Sequence, residues 1–394
     1  MGRIWRVTKY MLELVAAYIC AFFIRLFRPS LRNVWIISER GNDARDNGYF
    51  FYRYMVEKHP EIQIYYIIKS SSADAERITS DDRVEPNSFQ HFVLFALSNV
   101  RISSHAWGGD VPEVDYYRKL GLYKLSRKRV VFLQHGIIKD YLPSLCYPAI
   151  RPDIFICGAE PEWRYIHDHF NHPEGVAQYT GLARYDTLSN FTAKNQILVM
   201  PTFRRYLQGI SSEEFLTEEY YKAWQSLLES KEVIDLLEKK RIILIFYPHY
   251  EMQKYVHLFH SFSDRVIIAD FDHYDVQTLL KESKLMVTDF SSVFFDFSYM
   301  RKPVIYYHFD RDRYIKGHYD YTQGYFDYDT MAPGKVVFDE NSLVDEIRSC
   351  IESNFSVGNE YSKRRDIFFT KSDQQNCERI FNAIIRDKNG DSVR

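Results

Sequence analysis

Short apolar runs that end in polar clusters, each followed by helical periodicity, recur through this chain and restart once near residue 195. This double alternation constrains the fold more than any other feature of the sequence. Strands are expected at Val34–Ser38, Ile62–Ile68, Val100–Ser103, Arg129–Leu133 and Asp153–Cys157, then again at Ile197–Met200, Ile242–Phe246, Val266–Ala269, Leu285–Thr288 and Val304–Tyr307. Helical patterns fall between and after them, over Phe89–Leu97, Pro161–Phe170, Tyr220–Lys239, Val276–Ser283, Asn341–Ser353 and Asp373–Arg386. Asn47 is placed to cap a further helix starting near Tyr49. Alternation of this kind builds parallel sheets joined by crossover helices. Two successive units meeting near residues 187–195 predict an α/β protein of two Rossmann-like domains facing across a cleft. The expected division is a segment over 1–32, a first domain over 33–190 and a second over 191–394.

The N-terminal segment departs from this pattern. Arg3, Arg6, Lys9, Arg25, Arg28 and Arg32 stand against one acid, Glu13, and enclose the apolar run Leu14–Ile24. That run is shorter than the roughly 20 apolar residues a membrane span needs. Phe27-Arg28-Pro29 offers no small-residue cleavage site. The expectation is an amphipathic helix lying on an anionic membrane surface, the alternative being a core helix of the first domain. Over the whole chain the net charge is −2, so no global field attracts nucleic acid. Neither zinc-finger spacing nor a basic-aromatic pattern is present. The five cysteines are scattered without CxxC spacing, which suits a reducing compartment.

Ligands of open α/β sheets bind outside the carboxyl ends of the strands. His135, Arg204, His249 and the run Asp289–Ser292 all fall there. Gln134-His135-Gly136 puts an imidazole past a strand, beside a glycine that lets a ligand approach the backbone. Histidine suits general-base work on a hydroxyl. His249 takes the matching place in the second unit, and one histidine on each wall of a cleft fits a transfer between two substrates. Arg204 is of a type that grips phosphate oxygens bidentately, against the plainer role of a surface ion pair. Thr288-Asp289-Phe290-Ser291-Ser292 spans a strand-to-helix turn, with a helix expected from Ser291. Its backbone N–H groups and hydroxyls would receive a pyrophosphate, or simply cap the helix. His135 and Asp140 also spell H-x4-D, a pattern shared with glycerolipid acyltransferases. Asp270-Phe271-Asp272 and Asp310-Arg311-Asp312 read as structural or loop residues. His167, His169 and His172 do not share a helix face, so no metal site is expected.

Taken together, six segments resemble the CDP-glycerol glycerophosphotransferases, the teichoic acid polymerase and primase family. They are Phe132–Gly136, Thr180–Asp186, Pro201–Arg204, Tyr247–His249, Thr288–Asp296 and Ala332–Gly334, in family order from about residue 34 onward. The resemblance implies a GT-B-like architecture, with the acceptor on the first domain and the CDP donor on the second. It implies His135 as the base and His249 as a contact of the donor phosphates. Gly136, Pro201, Thr202, Arg204, Thr288, Asp289, Ser291, Ser292 and Asp296 are expected on the donor side, Asp296 orienting donor or loop unless it is a buried structural acid. Ile137-Ile138, Tyr247 and Ala183 depart from the family pattern in the manner of members from capsule and surface-polysaccharide loci.

The implied activity is transfer of a polyol phosphate, glycerol phosphate first, from CDP-glycerol or CDP-ribitol to a lipid-linked teichoic-acid-like or capsular polymer, releasing CMP. The implied location is the cytoplasmic face of a bacterial membrane, held peripherally, and neither metal nor cofactor is expected. The rivals are a sugar-nucleotide glycosyltransferase of the same architecture, an H-x4-D acyltransferase, and a non-catalytic scaffold of capsule assembly.

Overall fold

The computed structural model describes residues 2–106, 108–113, 128–189, 191–317 and 322–386. The first half carries strands β1 (Val34–Ser38), β2 (Gln63–Ile67), β3 (Arg83–Val84), β4 (Val100–Ser103), β5 (Arg129–Phe132), β6 (Ile154–Cys157) and β7 (Ala177–Tyr179). The second carries β8 (Gln196–Val199), β9 (Ile243–Phe246), β10 (Val266–Ile268), β11 (Leu285–Thr288), β12 (Val304–Tyr307) and β13 (Lys335–Val337). They form a seven-stranded sheet ordered β3-β2-β1-β4-β5-β6-β7 and a six-stranded sheet ordered β10-β9-β8-β11-β12-β13. The strand pairings are parallel. Central strands such as β1, β4 and β11 are buried along their whole length, as expected for sheets covered on both faces.

Each sheet order runs outward from its first strand and then reverses. The switch point lies between β1 and β4 in the first sheet and between β8 and β11 in the second. A crevice opens at such a point because the flanking connections leave to opposite sides.

All ten expected strands are present. The three missed ones, β3, β7 and β13, are two or three residues long and lie at or next to sheet edges, too short to show a pattern. Other details differ. The run Tyr220–Lys239 is two helices, Glu219–Glu229 and Lys231–Lys240, separated at Ser230, whose ψ of 110° is not helical. Asp46, rather than Asn47, caps the helix Asn47–Lys58. The helix expected from Ser291 begins at Phe294 and ends at Tyr299, so its dipole is short. A further helix spans Asn359–Phe368, outside the helical patterns read from the sequence.

The domains share one core. A single apolar cluster includes Ile37, Phe51 and Leu133 of the first with Met286, Phe294 and Phe295 of the second. Tyr185 stacks on Tyr299 at 4.3 Å between ring centroids. The chain then returns to the first domain. Asp186 accepts hydrogen bonds from the N–H groups of Asn376 and Cys377, both at 2.8 Å, and Phe381 stacks on His59 at 3.6 Å. The C-terminal helix Asn376–Ile385 thus packs on the first domain although it follows the second in sequence.

The N-terminal helix Gly2–Phe27 is long and apolar enough to cross a membrane. Along one side it buries Leu14, Ala17 and Ala21 in a cluster with Phe92 and Phe95 of the helix Phe89–Leu97. Trp5, Leu12, Ile19, Phe22, Phe23 and Phe27 are exposed. The side chain of Arg3, one of the expected basic anchors, lies outside the described residues.

Candidate active site

Beyond β5 the backbone turns sharply. Gln134 has φ 59°, a left-handed conformation uncommon outside glycine, and is held there from both ends. Its carbonyl accepts from Asn47 Nδ2 at 2.7 Å, and its side-chain amide donates to Glu162 Oε1 at 3.2 Å and to the Ile156 carbonyl. Glu162 is fully buried and also accepts from the N–H groups of Ile138 and Gly158, both at 2.6 Å. Burial pushes its carboxyl up to about 7. These contacts fix the loop that carries His135.

The His135 ring is open to the cleft but hemmed in by its walls. Desolvation, then the charges of Arg184 and Arg40, push its pKa down to about 4. The ring stacks on His105 with centroids 5.2 Å apart and planes 10° from parallel. Arg40 Nε donates to His105 Nε2 at 3.0 Å, which assigns the His105 proton to Nδ1, beside Ser104 Oγ at 3.1 Å. Burial, then His135 and Arg40, push His105 down to about 3.

On the second domain His249 follows β9. Its Nδ1 accepts from the Glu251 N–H at 3.2 Å, so the neutral ring carries its proton on Nε2. It stacks on Phe203 at 4.9 Å. Burial, then Arg40, push its pKa down to about 4. Arg40 belongs to the first domain, yet its charge bears on His249 as well as on His105 and His135. Arg40 is thus within electrostatic reach of histidines from both domains.

The switch point of the second sheet is locked by buried charge. Asp289 Oδ1 accepts from the N–H groups of Thr202 at 2.8 Å and Phe290 at 2.6 Å, and Oδ2 lies 2.9 Å from Arg204. Arg204 donates from Nε and Nη2 to Asp310 at 2.7 and 2.8 Å, and from Nη1 to the Thr202 carbonyl at 2.9 Å. Arg204, Asp289 and Asp310 are all buried. The expected phosphate grip by Arg204 is therefore corrected: its guanidinium is engaged inside the domain and shapes the Pro201-Thr202 loop from behind. Thr288 Oγ1 donates to the Met200 carbonyl at 2.7 Å and is likewise internal.

Ser291 is buried and Ser292 half-buried. Ser291 Oγ accepts from the Val293 N–H at 3.3 Å, a local turn. Ser292 Oγ stands 3.5 Å from where a β-carbon on Gly136 would lie, so the two walls meet at this pair. Asp296 is buried and bound by Arg184, which matches the buried-acid alternative. Arg184 Nε and Nη2 donate to its two oxygens at 2.7 and 2.9 Å, while Nη1 reaches Asp46 at 2.8 Å and the His135 carbonyl at 2.9 Å.

Sequence reasoning missed Arg40, Asn47, His105, Glu162 and Arg184 as parts of this arrangement. Ser104-His105 stood at a strand end like His135, and Arg184 lay inside a quoted segment. Those two positions carried a signal; the others acquire meaning only through partners remote in sequence.

A family model described as CDP-Glycerol:Poly(glycerophosphate) glycerophosphotransferase matches residues 20–142 and 168–386. The chain is 32% identical over 366 residues to the minor teichoic acid biosynthesis protein GgaB of Bacillus subtilis (strain 168), covering 89% of this chain and 39% of that protein. It is 31% identical over 202 residues to the teichoic acid glycerol-phosphate primase of the same organism, covering 51% of this chain and 46% of that one. The matched part is less than half the length of either relative. A solved structure of the wall teichoic acid polymerase TagF superposes with a TM-score of 0.66, covering 95% of this chain and 97% of that one, at 17% identity. That likeness shows the fold, which is GT-B-like.

Proposed function

The chain belongs to the CDP-glycerol:poly(glycerophosphate) glycerophosphotransferase family, and on that premise we propose that it transfers a polyol phosphate, glycerol phosphate first, from a CDP-linked donor to a polymer hydroxyl. The observation that carries this reading is that His135 and His249 follow β5 and β9, at carboxyl ends of strands in the two sheets, where Ser292 Oγ of the second domain stands 3.5 Å from where a β-carbon on Gly136 of the first would lie.

The acceptor hydroxyl gives its proton to His135 as its oxygen attacks the β-phosphorus of the donor. The new phosphodiester forms as the bond from that phosphorus to the bridging oxygen breaks, and CMP leaves with that oxygen. A neutral imidazole is the form able to take the proton. His249 donates from Nε2 to the pyrophosphate, where negative charge builds on the leaving group. Ser291 and Ser292 add hydroxyl donors, and Gly136 leaves room between the walls. Asp289, Arg204, Pro201, Thr202 and Thr288 hold the donor wall, and Asp296 with Arg184 holds the walls together.

The acceptor in this reading is a lipid-linked teichoic-acid-like or capsular polymer, and the enzyme sits on the cytoplasmic face of the membrane. The N-terminal helix supports a peripheral attachment. It packs through Leu14, Ala17 and Ala21 against Phe92 and Phe95 of the helix Phe89–Leu97, which holds that side of it against its own domain. Lying flat, it presents Trp5, Phe22, Phe23 and Phe27 to lipid with Arg6, Lys9 and Arg28 near the headgroups. All five cysteines are free, in keeping with a reducing compartment.

The test is incubation with radiolabelled CDP-glycerol, CDP-ribitol, a UDP-sugar or an acyl-CoA, each with a lipid-linked acceptor. Label entering polymer from a CDP-polyol with matching CMP release is the expected result. Release of UDP, or labelling from acyl-CoA instead, would overturn it.

A further inference from the structure

The first sheet has a switch point of its own, between β1 and β4, and the transfer chemistry described above touches only its edge. A cavity of about 470 Å3 fills the crevice there, within the range of about 300–1,000 Å3 usual for small-molecule sites. Its wall includes Arg40 and Gly41 after β1, Lys69 after β2, His91 from the helix Phe89–Leu97, and His105 and Gly109 after β4.

We propose that this cavity holds the growing end of the acceptor, a phosphodiester-linked polyol, with its phosphate against Arg40 and Lys69 and its terminal hydroxyl turned toward His135. The proposal rests on the transfer reading and deepens it.

Position is the first support. Arg40 Nε is hydrogen-bonded to His105 at 3.0 Å, and the His105 ring stacks on His135. The cavity is thus one imidazole away from the proposed base. Charge is the second. Among the described residues two carboxylates, Glu39 and Asp110, also line the space, and both are engaged elsewhere. Glu39 accepts from the N–H groups of Arg45, Asp46 and Tyr49 at 2.9–3.1 Å, and Asp110 binds Arg101 at 2.6 Å. Lys69 is exposed at the rim, and Arg40 makes a 3.5 Å contact to Asp43 from an exposed position, a pairing of little strength. His91 is a fixed, uncharged wall: its Nδ1 accepts from the Asn87 N–H at 3.1 Å and its Nε2 lies 3.1 Å from the Gly109 carbonyl. The glycines adopt φ of 85° (Gly41) and 74° (Gly109), leaving bare backbone against the lumen.

The third support is the route from the membrane. His91 sits on the helix that carries the N-terminal helix, and the loop beyond Gly109 is tied to that helix by Arg6 and Glu113 at 2.8 Å. In the peripheral reading above, the cavity therefore lies on the part of the first domain to which the N-terminal helix is bound.

The experiment uses the full chain and a short water-soluble glycerol phosphate oligomer as acceptor, with donor and acceptor varied separately. Lys69→Glu should raise KM for the oligomer roughly tenfold or more while KM for CDP-glycerol stays within about twofold, and Lys69→Arg should restore the acceptor KM. An unchanged acceptor KM in Lys69→Glu, in a preparation that transfers normally from CDP-glycerol, would overturn the acceptor site and leave the transfer reading standing. If the wild-type chain releases no CMP from any CDP-polyol, the transfer reading fails, and calorimetric titration of the oligomer decides the cavity. Binding weakened roughly tenfold by Lys69→Glu supports it, and no binding by the wild type overturns it.

Discussion

Arg184 and Asp296 form a bidentate ion pair, at 2.7 and 2.9 Å, that joins the first domain to the second while the same guanidinium holds the His135 carbonyl. Both side chains are buried, at 5% and 2% exposure. Burial shields the pair from water and salt, and Asp46 at 2.8 Å is a second carboxylate on the same guanidinium. Asp296→Asn leaves Arg184 with Asp46 as a remaining partner and should destabilise the protein by about 1–3 kcal/mol, read from urea unfolding, and lower turnover with it. The double variant Arg184→Met/Asp296→Leu also takes away the cation that Asp46 faces, so it should recover part of that stability without recovering turnover. Recovery of both would show that the bridge has no part in placing His135.

His135→Ala should reduce turnover by roughly 10²–10⁴-fold with donor binding nearly intact. The wild-type pH profile is expected to be unusual. A free imidazole takes up its proton near 6.5, but His135 is pushed down to about 4, first by desolvation. The base form therefore persists as pH falls through neutrality. In the free enzyme, kcat/KM should stay level down to about pH 5 and decline only as pH approaches about 4. An acid limb centred near 6.5 would contradict this placement of the ring.

His249 donates in this scheme rather than accepts. Its Nδ1 is occupied by the Glu251 N–H, which leaves Nε2–H for the donor. His249→Ala should cost roughly 10²–10³ in kcat, the size of effect seen when one preorganised donor to developing charge is lost. His249→Asn retains a shorter donor and should fall between the two. Steady-state kinetics with CDP-glycerol would separate the three proteins.

Arg204 behaves differently if its burial is decisive. Arg204→Gln leaves Asp289 and Asp310 as uncompensated buried acids and should cost about 3–5 kcal/mol of stability. The readout is the urea midpoint. A variant of unaltered stability with a raised donor KM would instead restore Arg204 as a direct phosphate contact.

Phe22→Glu/Phe23→Glu should weaken co-sedimentation with anionic vesicles while leaving the soluble fold intact, because both rings are exposed. Raising ionic strength should weaken the wild type further by screening the basic residues, since the Debye length shrinks from about 10 Å at 0.1 M salt. Attachment that resists both changes would point to a spanning helix.

The periodicity of the chain was enough to place ten strands, the crossover helices and the meeting of two α/β units. Apolar strand runs such as Val34–Ser38 and Leu285–Thr288 encode their own burial, and a strand's carboxyl end follows from where the run stops. That is why the positions of His135, His249 and Ser291–Ser292 at strand ends are legible in the sequence. The partners of charged groups obeyed no such local rule. Arg204 reads as a cleft residue until β8, β11 and the loop after β12 bring Asp289 and Asp310 onto it. Arg184 reads as one more motif residue until domain packing sets it against Asp296, 112 positions away. The crevice beside His105 exists only because β1 and β4 become neighbours across the intervening β2 and β3. Burial is a property of a segment and is written in its pattern. The pairing of charges depends on the order in which strands cross and on how two sheets close on each other, and that order is settled by the packing of the whole chain.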